Sequence, residues 1–593
     1  MWYTQTFICL EMSVSIPYPI AAFLAALVVL LGSGVTALFC RSTTARAAAL
    51  GAIGAVAAGA LGLFAAIYAL FGASTPEWTA PWPLAIGSLH LCLDTLSSLF
   101  LIPVFALTAL SAVYAVGYRR NIPPARAASG WFCFNLLTAG IALVLAAHDA
   151  VLFLAAWETM TIASFRLVAF EPERPGAVRA AAIYLAASQA SAACLIAMFL
   201  RLGAASGGTD FAGFADFAAR YPDVVSFALA LGLLGFGLKA GLMPLHGWLP
   251  LAHPAAPSPV SAVMSGVMIK TGIYGLARLT MLIGRPPLAW GWALLALGVV
   301  SGILGVLFAL RQHDLKRLLA FSSVENIGII TLGLGLGVIG VAKGLPTVAI
   351  LGWTGALFHV VDHAIFKGLL FLGAGAAMQG AGSGALDRLG GLLRRMPATG
   401  WTFLIGAAAI SGLPPFNGFA SEFLIYASSF QSLMETSRAL AVGGVAALAA
   451  LALMGGLAVG GLALLALSAA LFTLARGLRA GRSVRTGPTW DCGYLRPSPR
   501  MQDTAVSFAQ PLLDAFHLGP LARREATPPR AFLAEPSERD AHRVSPFRAH
   551  WNAALATVRR RLDTLRWMQH GNVHLYALYI ALTLLTLLLW VFR

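Results

Sequence analysis

An all-α fold, a polytopic bundle of transmembrane helices, is predicted by three observations. Of the 593 residues, 59% are hydrophobic and only 11% charged, where a water-soluble chain carries roughly a quarter charged residues. Apolar runs of about 20 residues, the length a helix needs to cross a bilayer, recur along the chain, and the mean hydropathy is +0.79. The 61 glycines suit helices that pack closely in lipid.

In chain order the runs fall near 20–40, 50–72, 90–117, 129–147, 149–168, 180–202, 225–249, 258–282, 287–310, 318–340, 346–378 and 400–429. One or two more lie within 438–475, and a last one covers 573–592. The first residues do not read as a cleaved signal peptide. They include Glu11, lack a basic segment, and lead into a run that continues from Ala21 past Val35.

The net charge of +16 is carried in short loops. Arg41 and Arg46, then Arg119, Arg120 and Arg126, then Arg174 and Arg179, all follow odd-numbered runs. The same holds for Arg311, Lys316 and Arg317, and for Arg388, Arg394 and Arg395. Lys and Arg near span ends favour the cytoplasm, so the N-terminus is expected on the other side. This pattern accounts for the basic balance without nucleic acid. Arg476, Arg479, Arg482 and Arg485 should also be cytoplasmic, which requires an odd number of crossings after about residue 430. The run 439–475 would be about 55 Å long as one helix, nearly enough for two crossings, so the crossing number there stays open. Residues 481–570 are hydrophilic and rich in Pro and Arg, ending in Trp551 to Trp567 with Arg559, Arg560, Arg561 and Arg566. An interfacial helix, a docking loop and a linker all suit that composition.

The six cysteines are scattered without a CxxC pair, which gives no support to an iron–sulfur or structural zinc site. No dinucleotide or P-loop fingerprint stands out. Any redox chemistry is therefore expected in another subunit, with no cofactor in this chain.

The charges inside the apolar runs carry the functional signal, because a charge at the bilayer centre costs a few kcal/mol or more, which makes an ionisable residue there a functional candidate. Leu238 to Ile273 puts Lys239 deep in one run and Lys270 near the middle of the next. Between them Pro244, His246, Pro250, His253, Pro254, Pro257 and Pro259 force the first helix to break. Broken helices at membrane depth are tolerated where they are buried in protein or line a wet path. Glu158 lies in AAWETMTIASF; an isolated carboxyl there favours its neutral form and a nearby ammonium its charged form, so Lys239 is the expected partner. A static ion pair fixing helix register is the competing role. His359, His363 and Lys367 recur at i, i+4 and i+8 and share one helix side, with Asp362 beside them. Imidazoles both donate and accept near neutral pH, which suits a proton wire better than zinc, since HEXXH and nearby cysteines are lacking. Glu422 follows the Pro414-Pro415 break in a further run. Two broken helices with associated charges point to an internally repeated transporter fold.

These motifs resemble a known family. WETM, GLKAGLMPLHGWLPLAHPAAPSPVSAVMSGVMIKTGIYGLARL, HDLKRLLAFSSVENIGII, FHVVDHAIFKGLLFLGAG and SGLPPFNGFASEF look like the proton-translocating antiporter-like subunits. That family includes the large membrane-arm subunits of respiratory complex I and of sodium/proton antiporter complexes. The likeness covers roughly residues 130–430. PTWDCGYLRPSPRMQDTAVSFAQPLLDAF, residues 488–516, is similar to the tail of the hydrogenase-4 component B and formate hydrogenlyase subunit 3 branch.

The resemblance implies two inverted five-helix repeats. The expected division is N-terminal helices over 1–128, a first repeat over 129–282, and a second repeat with following helices over 283–475. A hydrophilic segment would then occupy 476–571 and a C-terminal helix 572–593. By position, the resemblance makes Glu158 the carboxylate that modulates the pumping lysine, Lys239. Lys270 or His253 relays protons toward the middle, where His359, His363 and Lys367 continue the axis, and Glu422 is the exit-side group. Lys316 and the SSVENIG stretch match an element read as mainly structural. Three departures stand out as possible modulators: Arg166, where an uncharged residue is expected; Gln189, where many relatives have histidine; and Asp362, in place of Asn or Thr. The segment between Glu422 and Trp490 is also shorter than in the hydrogenase relatives, by about two helices' worth.

The implied protein is a multi-pass subunit of a bacterial cytoplasmic membrane, part of a complex I-like, hydrogenase-type oxidoreductase, with no bond-making chemistry of its own. Its expected partners are other membrane subunits, soluble nickel–iron hydrogenase-like and iron–sulfur subunits, the lipid bilayer, and protons. Nickel–iron and iron–sulfur centres would lie in those partners. A subunit of a sodium/proton antiporter complex and a non-pumping membrane anchor are the alternatives.

Overall fold

The structure is a computed structural model and describes residues 16–440, apart from 41–42, 81–85, 119–121, 219–220 and 285. The expectations for 438–475, for the hydrophilic segment, for the 488–516 tail and for the C-terminal helix lie outside the described residues.

Seventeen α-helices are present among the described residues: α1 Tyr18–Phe39, α2 Thr44–Phe71, α3 Thr95–Tyr118, α4 Pro124–Ala146, α5 Ala150–Val168, α6 Ala177–Ser206, α7 Phe211–Ala218 and α8 Pro222–Ala240, followed by α9 Leu249–Ala255, α10 Ser258–Val263, α11 Lys270–Ile283, α12 Leu288–Leu310, α13 Leu315–Lys343, α14 Pro346–Ala381, α15 Leu392–Arg395, α16 Pro397–Ile410 and α17 Asn417–Leu440. Eleven described helical stretches are long and apolar enough to cross a membrane.

Local chemistry sets where they begin. Proline occupies the first turn of α1, α4, α8, α14 and α16, where its missing N–H costs no helical hydrogen bond. Asp149 caps α5 by accepting from the Val151 and Leu152 amides, and Asp314 caps α13 through the Arg317 amide. Each carboxylate satisfies donors that the helix itself leaves unpaired.

The run expected to start a span at residue 90 instead opens with a strand. β1 Glu77–Ala80 pairs antiparallel with β2 Leu89–Cys92, Glu77 opposite Cys92. In β1 the more exposed Glu77 and Thr79 alternate with Trp78 and Ala80, the two-residue period of a strand, and α3 begins only at Thr95. The seventh and twelfth runs are both interrupted, at 241–248 and 411–416 respectively.

Glycine sets the closest packing. At Gly298 on α12, an added Cβ would lie 2.5 Å from the Leu332 amide nitrogen on α13; at Gly328 it would lie 2.5 Å from the Gly302 nitrogen. The two backbones touch, as small residues permit in lipid. This contact fixes α13, and α13 in turn faces α14 and its histidines.

Candidate functional site

The interior holds a row of charged and titratable side chains. Lys239, His253, Lys270, His359, His363 and Lys367 are each at most 1% exposed. Such burial is tolerated only where hydrogen bonds and counter-charges replace water.

The first break supplies its own hydrogen bonds. α8 ends at Ala240 and is capped by Gly241, whose amide bonds back to the Gly237 carbonyl, as does that of Leu242. Trp248 Nε1 donates to the Leu238 carbonyl at 2.8 Å, and the Met243 amide donates to Ser301 Oγ at 3.0 Å. The irregular backbone is thus buried in protein and paired, the condition for its survival at membrane depth.

Lys239 sits one residue before this break's α8 terminus. Its Nζ donates to Tyr184 Oη at 2.9 Å and to Thr161 Oγ1 at 3.2 Å, and it lies 5.6 Å from the centre of the Trp157 ring. The ion pair expected with Glu158 is not formed. Glu158 is half-buried on the flank of the bundle and accepts from Gln189 Nε2 at 3.0 Å. The helical period explains this: Trp157 and Thr161 share the inward side of α5, and position 158 is turned about 100° away from Trp157. Gln189 therefore engages the carboxylate, while Arg166 is exposed in the last turn of α5.

Between Lys239 and Lys270, α11 packs directly on α8; a Cβ at Gly272 would sit 2.7 Å from the Ala240 nitrogen. Immediately before Lys270, residues Met264–Met268 form a π turn. The Ile269 amide bonds to the Met264 carbonyl at 3.1 Å instead of to Ser265. The Ser265 carbonyl is thereby released from the helix ladder, and Lys270 Nζ donates to it at 3.2 Å and also to the Gly266 carbonyl. π turns interrupt helices in this way at functional sites. The same Nζ lies 2.7 Å from His363 Nδ1, joining α11 to α14.

On α14 the expected i, i+4, i+8 side is real: His359, His363 and Lys367 are all buried. His359 Nδ1 lies 3.0 Å from Ser421 Oγ and Nε2 lies 3.0 Å from Asn326 Oδ1. Lys367 Nζ donates to the Leu319 carbonyl at 3.0 Å and to Ser322 Oγ at 2.5 Å. Asp362 Oδ1 accepts from Asn417 Nδ2 at 3.0 Å, which ties α14 to the first residue of α17. His253 stacks on Phe371 with ring centres 5.0 Å apart. At the second break Gly412 has φ of 62°, and its missing side chain makes room for Glu422: a Cβ there would sit 2.7 Å from Oε2. Only glycine meets both requirements without strain.

Sequence reasoning missed several of these groups. Tyr184 and Thr161 gave no signal, because a hydroxyl is unremarkable in an apolar run. Glu325 did give one: it is an ionisable residue inside the run 318–340, and it interacts electrostatically with both Lys367 and Glu422.

A second polar cluster lies at the end of the bundle formed by β1, β2 and the starts of α3, α5 and α7. His90 places one ring nitrogen 2.6 Å from Glu77 and the other 2.5 Å from Asp210. Below it Arg278 grips Asp94 with both terminal nitrogens. Burial alone would raise the Asp94 carboxyl, but the hydrogen bonds and charge of Arg278 together outweigh it and push it down to about 2. Burial, and then the Arg278 charge, hold the neighbouring His148 down to about 4. Among the described residues, no group of three or more His, Cys, Asp or Glu side chains is placed to hold a metal ion.

Helices of spanning length around a buried lysine–histidine row, with two interrupted helices beside it, define a polytopic membrane protein of the ion-translocating type of architecture. Residues 147–447 match the family described as NADH:quinone oxidoreductase/Mrp antiporter, transmembrane, and the chain belongs to that family. It is 40% identical over 378 residues to hydrogenase-4 component B of Escherichia coli (strain K12), covering 63% of this chain and 56% of that protein. It is 47% identical over 201 residues to formate hydrogenlyase subunit 3 of the same organism, covering 34% of this chain and 33% of that one. The chain thus spans little more than half the length of the first of these curated relatives. A solved chain from the membrane-bound sulfane sulfur reductase, an archaeal respiratory membrane complex, superposes with a TM-score of 0.67 at 24% identity, covering 95% of this chain and 99% of that one. That likeness establishes the fold.

Proposed function

We propose that this chain is a proton-translocating membrane subunit of a complex I-like, hydrogenase-type oxidoreductase in the bacterial cytoplasmic membrane. Protons move along an axis formed by Glu158, Lys239, Lys270 or His253, His363, His359, Lys367 and Glu422, across two inverted repeats with boundaries near 129, 282 and 475. The observation that carries this reading is the 2.7 Å contact between Lys270 Nζ and His363 Nδ1. It links the lysine-bearing broken-helix region to the histidine helix by a group pair able to share a proton.

Lys239, held by neutral hydroxyls and by the Trp157 and Tyr184 faces, is the pumping lysine of this reading. Glu158, on the flank with Gln189, is the carboxylate that modulates it. Arg166 and Asp362 adjust the local field. Electron transfer occurs at nickel–iron and iron–sulfur centres of partner subunits, and this chain converts its consequence into ion movement.

The test is Lys239→Ala in the purified complex reconstituted into liposomes, with proton flux under an imposed potassium diffusion potential read by entrapped pyranine. The variant is expected to assemble and to abolish flux, since the lysine supplies charge rather than packing. Wild-type flux in the assembled variant would favour a non-pumping anchor. Flux that requires sodium would favour an antiporter subunit. Mass spectrometry of the affinity-purified complex should find a nickel–iron hydrogenase-like large subunit; recovery of antiporter-like membrane proteins alone would remove the redox partner from the account.

A further inference from the structure

Lys239 at the end of α8 is closed in by Tyr184 of α6 and by Thr161 and Ser164 of α5, and all four side chains are buried. Their hydrogen bonds form a chain with a direction. Ser164 Oγ donates to the Met160 carbonyl at 2.7 Å, with the Thr161 carbonyl at 3.0 Å, so its single proton is committed inside α5. It therefore accepts from Tyr184 Oη, 2.5 Å away. Met268 Sδ, at 3.8 Å, is a weaker acceptor for the same phenol. With its proton given to Ser164, Tyr184 presents a lone pair to Lys239, and Nζ donates to it at 2.9 Å.

Aromatic packing holds this hydroxyl in place. The centre of the Tyr184 ring lies 5.0 Å from that of Trp248, and Trp248 Nε1 holds the carbonyl of Leu238, the residue before Lys239. Tyr184 is thus tied to the backbone of the break as well as to the lysine. Ionisable groups on the surrounding elements are engaged elsewhere: Glu158 with Gln189, Lys270 with His363, and Arg278 with Asp94 and Tyr274. His246 and His253 stack on Phe308 and Phe371, and Arg166 is exposed. Among the described residues, the hydrogen-bond partners of Lys239 Nζ are Tyr184 and Thr161.

We infer that Tyr184 is a reversible hydrogen-bond partner of Lys239, accepting from its ammonium and donating to its amine, and so is a positioning residue of the translocation row. This rests on the proton-translocating reading above. When Lys239 passes a proton to the next group of that row, Lys270 or His253, one N–H bond breaks at Nζ and one forms at the receiving nitrogen. Nζ keeps the electron pair, and an amine with a free lone pair takes a donor. Rotation about the Tyr184 C–O bond moves its proton from Ser164 to Nζ without moving a heavy atom, and Ser164 keeps its own bond within α5. Thr161 still accepts one of the two remaining N–H groups. The buried nitrogen is therefore hydrogen-bonded in both states, which avoids the cost of an orphaned polar group in a dry interior. Phenylalanine at 184 keeps the ring and removes both bonds.

The experiment is the reconstituted complex with pyranine readout, comparing Tyr184→Phe and Lys239→Ala with wild type across pH. Tyr184→Phe is expected to slow flux about tenfold, the lower range for loss of one hydrogen bond to a charged group. It should also move the alkaline limb of the flux–pH curve to lower pH by about one unit, because an ammonium loses more with its acceptor than an amine loses with its donor. A role in packing alone leaves flux and curve as in wild type, since the ring stays. That result, with Lys239→Ala silent, overturns the inference and leaves the translocation reading standing. Slowed flux with an unmoved curve overturns it as well. If Lys239→Ala conducts, both fail together. Should Tyr184→Phe not assemble, 3-fluorotyrosine incorporated at position 184 keeps the hydroxyl but makes it a better donor and a poorer acceptor. The curve is again expected to move to lower pH, and an unmoved curve refutes the inference.

Discussion

Replacing Asp94 by Asn should destabilise the bundle by about 3 kcal/mol, and the structure supplies that figure by two routes. Asp94 meets Arg278 through Oδ2–Nη1 at 2.5 Å and Oδ1–Nη2 at 2.8 Å, with the two side chains only 22% and 8% exposed. A carboxyl held at about 2 rather than at 3.8 contributes about 2.5 kcal/mol at neutral pH. Removing one partner of a buried pair typically costs roughly 3–5 kcal/mol, because the remaining charge is stranded. Asp94 Oδ1 also accepts from the Ser97 amide at the start of α3. Asparagine retains that capping ability, so the substitution isolates the charge. The folded carboxyl is lower than the unfolded one, so the contribution is complete above pH about 4 and disappears as pH falls toward 2. Unfolding in mixed detergent micelles, followed by tryptophan fluorescence, measures the loss. The double variant Asp94→Asn/Arg278→Met should recover most of it. A single-variant cost below about 1 kcal/mol, or strict additivity in the double variant, would refute the reasoning.

Two further expectations concern stability. His148 is held at about 4 against an ordinary 6.5, so acid favours the unfolded chain, costing about 3 kcal/mol between those two values; His148→Gln should narrow the difference in melting temperature between pH 7 and pH 4.5, and an unchanged difference would count against it. Gly298→Val would drive side-chain atoms into the Leu332 amide, 2.5 Å from the first added carbon, and should lower folded yield as overpacking between rigid backbones costs roughly 1–3 kcal/mol or more; detergent size-exclusion profiles report the loss, whereas Gly302→Ala, with nothing within 4 Å, should leave the profile unchanged.

The sequence by itself determined the class of fold, because an apolar run of spanning length has one way to satisfy its backbone in lipid. It also identified the two interruptions, since proline removes a donor wherever it stands, and the shared side of His359, His363 and Lys367, since helical period is local. Tertiary structure decided what each charge faces. Glu158 was expected to meet Lys239; the rotation of α5 turned it to Gln189 and gave the lysine Tyr184 and Thr161 instead. The SSVENIG stretch read as mainly structural, and the helix crossing sets its Ser322 against Lys367 and its Asn326 against His359. The pairing of His90 with Glu77 and Asp210 joins residues 13 and 120 positions apart, a separation to which no local pattern refers. Spacing along a helix fixes the direction of a side chain, but its partner depends on how neighbouring helices are turned, and here glycine contacts such as Gly298 with Leu332 set that.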